Sequence, residues 1–228
     1  MTTRQPVVAI DGPAGSGKST VAQLLARRAG LQFISSGAMY RAVALTALRE
    51  GTAAMSPERL AAIAAALPIR FTTDAAGTVR TWLGDEDVTD ALRRTDVTEV
   101  AAVIAKIPAV RAHLVARQRA YGAEGGIVME GRDIQTVVFP DAEIKVFLDA
   151  SAEERATRRW KELRAAGSPE SYATVLADVR ARDRSDRERA VAPLHAAPDA
   201  ITLNTDGLSI DAVVAKLQEI VEAWRTPR

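Results

Sequence analysis

Small residues ending in a lysine and a hydroxyl, Gly12-Pro13-Ala14-Gly15-Ser16-Gly17-Lys18-Ser19-Thr20, form the segment of this 228-residue chain that most directly implies chemistry. The glycines allow successive backbone amides to turn inward toward phosphate oxygens, and a helix starting near Lys18 adds its positive end. Lys18 suits the β and γ phosphates of ATP, and Ser19 suits Mg²⁺. The pattern is the P-loop in full, and it falls between a strand-like and a helix-like stretch, as its mechanism requires. It does not by itself separate kinases from GTPases, motor ATPases or passive nucleotide binders.

Other residues narrow the choice. Asn204 is the only asparagine, so there is no Asn-Lys-x-Asp guanine-reading element, and neither His113 nor His195 lies in a His-Arg-Asp loop. Asp74 to Gly77 spells Asp-x-x-Gly, yet between two strand-like runs it reads as a hairpin turn. Phosphoryl transfer needs cations that gather two anionic substrates. Arg41 follows the second predicted strand, and Gly131-Arg132-Asp133 follows a core strand directly. The stretch Arg182-Asp-Arg-Ser-Asp-Arg-Glu-Arg189 is either a solvated helix face or a mobile lid over phosphates. Four arginines in those eight residues favour the lid, because guanidinium binds phosphate bidentately.

The elements that must position these groups follow from hydropathy. Val7 to Ile10 reads as a buried strand, followed by a helix through Leu24, Leu25 and Ala29 that Gly30 ends. Leu31 to Ile34 is a second strand, and Ser36 is placed to cap a helix running to about Glu50, where Gly51 stops it. From Ser56 to Val97 the rhythm changes: Ile69 to Thr73, Thr78 to Leu83 and Glu86 to Val88 read as short strands of an inserted antiparallel β subdomain. A helix with Val110, Leu114 and Val115 on one face follows, then parallel-type strands at Ile127 to Met129 and Ile144 to Leu148. Ser151 and Glu154 form a capping box for a helix ending at Gly167, and Pro169 reads as the first turn of the next. Ala200 to Leu203 is a last strand, before a helix with Ile210, Val213, Val214, Leu217, Ile220 and Val221 on one face. Trp82, Trp160 and Trp224 read as packing residues. The fold class is α/β, a three-layer P-loop type with a five-stranded parallel sheet.

Thirty basic against twenty-nine acidic residues leave no global field that favours nucleic acid or an anionic membrane as partner. The absence of cysteine excludes disulfides and thiolate chemistry and fits a cytoplasmic protein, as does the lack of a signal-type N-terminus. No apolar run approaches the roughly 20 residues of a membrane span. Near-neutral charge and the lack of a heptad pattern point to a monomer.

The chain resembles the bacterial cytidylate kinase family along nearly its whole length. The resemblance rests on Ala9-Ile-Asp-Gly-Pro-Ala-Gly-Ser-Gly-Lys-Ser-Thr20, Ser36-Gly-Ala-Met-Tyr-Arg41, Gly131-Arg-Asp-Ile-Gln-Thr-Val-Val-Phe-Pro-Asp141, Lys145-Val-Phe-Leu-Asp-Ala150 and Arg187-Glu-Arg-Ala-Val-Ala-Pro-Leu194. It implies ATP- and Mg²⁺-dependent phosphorylation of CMP and dCMP within pyrimidine nucleotide metabolism. The core would comprise about 1–55, 98–168 and 190–228, with an NMP-binding insertion at about 56–97 and a lid at about 169–189. By the same resemblance Arg41 and Arg132 grip the CMP phosphate, Ser36, Arg111, Asp133 and Arg189 face or frame the cytosine, and Arg182 and Asp186 approach the sugar and the transferring phosphate. Lys18, Arg132, Arg182, Asp186 and Arg189 thus carry catalysis, with Asp11 and Asp133 available to hold Mg²⁺ through water. Three positions depart from the family pattern: Ser35 replaces an expected aspartate, Gln135 a glycine, and Ala102 a serine near the sugar. Two rival readings are a P-loop kinase for another acceptor, such as UMP or a small hydroxyl metabolite, and a sensor that binds ATP without turnover.

Overall fold

Val7–Asp11 (β1) is buried along its whole length, as a run of apolar residues in the middle of a parallel sheet must be. The computed structural model describes residues 5–51, 56–74 and 77–226. The other strands of the main sheet are Gln32–Ser35 (β2), Ile127–Gly131 (β6), Ile144–Asp149 (β7) and Ile201–Asn204 (β8), in the order β2-β6-β1-β7-β8. β1 pairs in parallel with β6 (Val8 opposite Val128) and with β7 (Val8 opposite Ile144), and β7 pairs in parallel with β8 (Val146 opposite Ile201). A second, antiparallel sheet contains Ile69–Thr73 (β3), Val79–Leu83 (β4) and Glu86–Asp87 (β5). The α/β class and both sheets are thus as expected from the sequence.

The chain divides into two compact units, residues 1–32 with 126–228, and residues 33–125. In the first, Lys18–Ala29 (α1) packs on β6 and on Ile210–Arg225 (α8), whose Val213, Val214, Leu217 and Val221 are buried at helical spacing. Ala152–Ala165 (α6) and Tyr172–Glu188 (α7) pack together around Ala156, Val175 and Val179, with Trp160 set edge-on to Tyr172 at a centroid distance of 6.4 Å. Ser171, not Pro169, sets the start of α7: its side chain accepts from the Thr174 amide. A hydroxyl that pairs an orphan amide defines the start more strongly than a proline that merely tolerates it.

In the second unit Ser36–Arg49 (α2) packs against Thr95–Ile104 (α4), and Pro57–Ala66 (α3) against Pro108–Tyr121 (α5). Residues 56–97 are therefore less purely β than their turn residues suggest. Ser56 caps α3 with Pro57 at its first turn, and an alanine-rich sequence completes the helix. The β3–β4 hairpin forms where expected, with Asp74 accepting from the Gly77 and Thr78 amides. Ala75 and Ala76 lie outside the described residues. Trp82 lies on this sheet, stacked under Arg70 and bonded to Thr72.

Candidate active site

In the first unit the phosphate loop leaves the carboxyl end of β1, and Arg132 and Asp133 leave the carboxyl end of the neighbouring parallel strand β6. Outside the carboxyl ends of parallel strands is where such sheets bind ligands. Gly12 is required by close approach, since a Cβ there would lie 2.1 Å from the Leu148 carbonyl oxygen on β7. Gly17 begins α1 with φ 82°, a left-handed conformation that glycine adopts without penalty. Among the described residues no side chain caps α1, whereas Ser151, Ser171 and Ser209 cap α6, α7 and α8. The first amides of α1 are thus left for an anion.

Lys18 is buried, and its ammonium donates to the Pro13 carbonyl at 3.0 Å. Desolvation pulls its pKa down to about 7, Arg132 pushes the same way, and Glu130, Asp186 and Asp11 oppose them. Phosphate oxygens would reverse that balance. Ser16 Oγ is buried with no hydrogen-bond partner among the described residues, while the Ser19 and Thr20 side chains at the helix start are exposed. A polyphosphate with a Ser19-bound Mg²⁺ fits this donor set.

Asp11 has a structural task. Its two oxygens accept from the Ile134 and Gln135 amides at 3.0 and 2.9 Å, and burial pushes its pKa up to about 6 despite those bonds. It thereby pins a π-helical turn, Ile134–Val138, immediately after Arg132 and Asp133. Gln135 is part of the same anchorage, because its side-chain carbonyl accepts from the Ala197 amide at 3.1 Å. Gln135, where the sequence resemblance leads to the expectation of a glycine, is thus a buried brace for the turn.

Arg132 Nε donates to Asp186 Oδ2 at 2.8 Å, which brings two of the expected residues together. Arg189 and Asp133 form a second, buried pair at 4.0 Å, and Arg189 Nε also donates to the Ala192 carbonyl. Arg182 is exposed on α7. In the second unit Ser35, not Ser36, caps α2, accepting from the Ala38 amide at 3.2 Å, so the serine at the position where an aspartate is expected supplies a capping oxygen. Ser36 is buried in the first turn, and Arg111 is buried on α5 with its guanidinium donating to the Tyr40 hydroxyl at 3.2 Å. A Cβ at Gly37 would lie 3.0 Å from Arg41 Nη1, so the glycine leaves room for that guanidinium one turn along the helix. Ala102 is exposed on α4.

Sequence reasoning missed Arg155 and Asp183. Arg155 is 2% exposed, Asp183 6%, and they form a bidentate pair. Neither carries a hydropathy signal, and they are far apart in the chain.

A parallel sheet whose carboxyl ends carry a glycine-led helix start, a buried lysine and paired arginines and aspartates defines a P-loop kinase. A family model described as cytidylate kinase matches residues 8–223. The chain belongs to the cytidylate kinase family. It is 47% identical over 220 residues to a cytidylate kinase of Pelotomaculum thermopropionicum, covering 96% of this chain and 97% of the relative. It is 48% identical over 218 residues to a cytidylate kinase of Pseudomonas syringae pv. tomato, covering 95% of each. A crystal structure of an uncharacterized protein from Eubacterium ventriosum shares the fold, with a TM-score of 0.51 at 14% identity, covering 96% of this chain and 99% of that one.

Proposed function

We propose that this protein transfers the γ-phosphoryl group of ATP to CMP and dCMP, in pyrimidine nucleotide metabolism, as a cytoplasmic monomer. The observation that carries the reading is Lys18: a desolvated ammonium at an uncapped helix start, among carboxylates and beside Arg132, in a chain of the cytidylate kinase family. Among the described residues no helix is long and apolar enough to cross a membrane.

ATP is assigned to residues 12–20. Mg²⁺, held through Ser19, supplies charge neutralisation on the transferring phosphate when bound. In the first unit Arg132, Asp133, Asp186 and Arg189 are assigned to the acceptor nucleotide, and Arg182 on α7 to the transferring phosphate. Ser36, Arg41 and Arg111 are assigned to CMP by family resemblance, with an NMP-binding insertion at about 56–97. Residues 169–189 are assigned as a lid whose closure excludes water. The acceptor phosphate is ionised at neutral pH, so no protein nucleophile is needed. Positioning and charge neutralisation carry the catalysis. A cytosine reader needs donors for O2 and N3 and an acceptor for the exocyclic amine, which arginine and aspartate supply.

The test is ADP formation from ATP and Mg²⁺ with CMP, dCMP, UMP, AMP or no acceptor, with Arg132→Ala as control. Turnover that requires CMP or dCMP and collapses in the variant is expected. Turnover indifferent to CMP refutes the reading.

A further inference from the structure

The charged stretch 182–189 contains a carboxylate for which the proposed chemistry has no use. Asp183 on α7 is buried and accepts from Arg155 Nη1 at 2.8 Å and from Nη2 at 2.5 Å. The same guanidinium donates through Nη1 to the Ala14 carbonyl at 3.1 Å and through Nε to the Ala150 carbonyl at 2.9 Å. Arg155 therefore joins the phosphate loop, the start of α6 and the middle of α7.

Two consequences follow from geometry. A peptide group is planar and trans, so its C=O and N–H point in opposite directions. Holding the Ala14 carbonyl against Arg155 therefore turns the Gly15 N–H away from α6 and fixes one of the amides of the phosphate loop. The loop also lies against the arginine stem, since a Cβ on Gly15 would sit 3.3 Å from Arg155 Cβ. At the other end, two parallel bonds to a planar fork fix the rotation of α7 about its axis. One helical turn further along α7, Asp186 holds Arg132 Nε at 2.8 Å.

We propose that Arg155 and Asp183 are positioning residues, a buried relay that, with the lid helix α7 closed, keeps the phosphate loop in register with Arg132 through Asp183, α7 and Asp186. The proposal rests on the kinase reading above. Stability alone does not account for the pair, because buried ion pairs are often replaced by apolar residues of similar volume without loss of stability.

That property supplies the test. The double variant Arg155→Met/Asp183→Leu removes the relay without leaving an unpaired buried charge. It is expected to unfold at a temperature close to that of the wild type, to keep its KM for CMP within about threefold, and to lose roughly 100-fold in kcat, the order of loss that a misplacement of about 1 Å brings. With ADP and Mg²⁺ bound, when a phosphate oxygen protects the Gly15 amide, hydrogen exchange there is expected to be at least about tenfold faster in the double variant, a readout independent of activity. A folded double variant with wild-type kcat and wild-type exchange overturns the proposal. Should the double variant fail to fold, Arg155→Lys decides: it keeps a cation for Asp183 but cannot span both carboxylate oxygens and Ala14, so a wild-type kcat in that variant overturns the proposal equally. A wild type without CMP-dependent turnover sinks the kinase reading instead, while the exchange measurement still reports on the relay.

Discussion

Replacing Lys18 by methionine should abolish phosphoryl transfer and yet stabilise the nucleotide-free protein. Burial of the ammonium lowers its pKa from 10.5 to about 7. At about 1.4 kcal/mol per pH unit, that gap amounts to about 5 kcal/mol lost from folding while the lysine is charged. Removing the side chain also removes its 3.0 Å bond to the Pro13 carbonyl, worth about 1 kcal/mol. Methionine should thus gain roughly 4 kcal/mol below pH 7. The sign follows from linkage: a folded pKa below the unfolded one gives a contribution that is fully present above pH 10.5 and is lost as pH falls through about 7. The advantage of the variant should therefore shrink by about 2–3 kcal/mol between pH 6.5 and pH 9. Urea unfolding of both proteins in phosphate-free buffer at these two pH values measures this directly. A variant less stable than wild type at pH 6.5, or a difference that does not change with pH, would refute the reasoning.

Three further outcomes are expected. Gly12→Ala places a methyl 2.1 Å from the Leu148 carbonyl oxygen, so β1 and β7 must part; steady-state assays should show roughly a 100-fold loss of kcat. Asp11 has a folded pKa raised from 3.8 to about 6, so its contribution is complete below pH 3.8 and is lost as pH rises through 6; relative to Asp11→Asn, denaturant titrations should show the wild type losing up to about 3 kcal/mol across that window. Ser35→Ala deletes the cap of α2 and should cost about 1 kcal/mol, whereas Ser35→Asp should retain the cap; thermal unfolding distinguishes them.

What was legible in the sequence was local. The sequence from Val7 to Ala29 declares strand, phosphate loop and helix in one continuous pattern, because apolar periodicity and glycine placement act over few residues. The start of α2 was misread by one residue since two adjacent serines can both cap, and only the bond to the Ala38 amide chooses Ser35. α3 carried a readable signal in Ser56 and Pro57, overshadowed by the strand-like runs after it. Arg155 was beyond reach: it lies on an arginine-rich helix whose Arg159 and Arg164 are exposed, and its burial depends on Asp183 and Ala14, remote in sequence. Gln135 is a similar case, because its role as a brace depends on the Ala197 amide. Residues whose meaning lies in a distant partner carry no local signature.

The most direct measurement of the central claim is to identify the product. Wild-type protein incubated with ATP, Mg²⁺ and CMP, and resolved by chromatography, should yield CDP and ADP in equal amounts, with little ADP when CMP is omitted and no CDP from Lys18→Met. ADP appearing without CDP, or at the same rate without CMP, would contradict it.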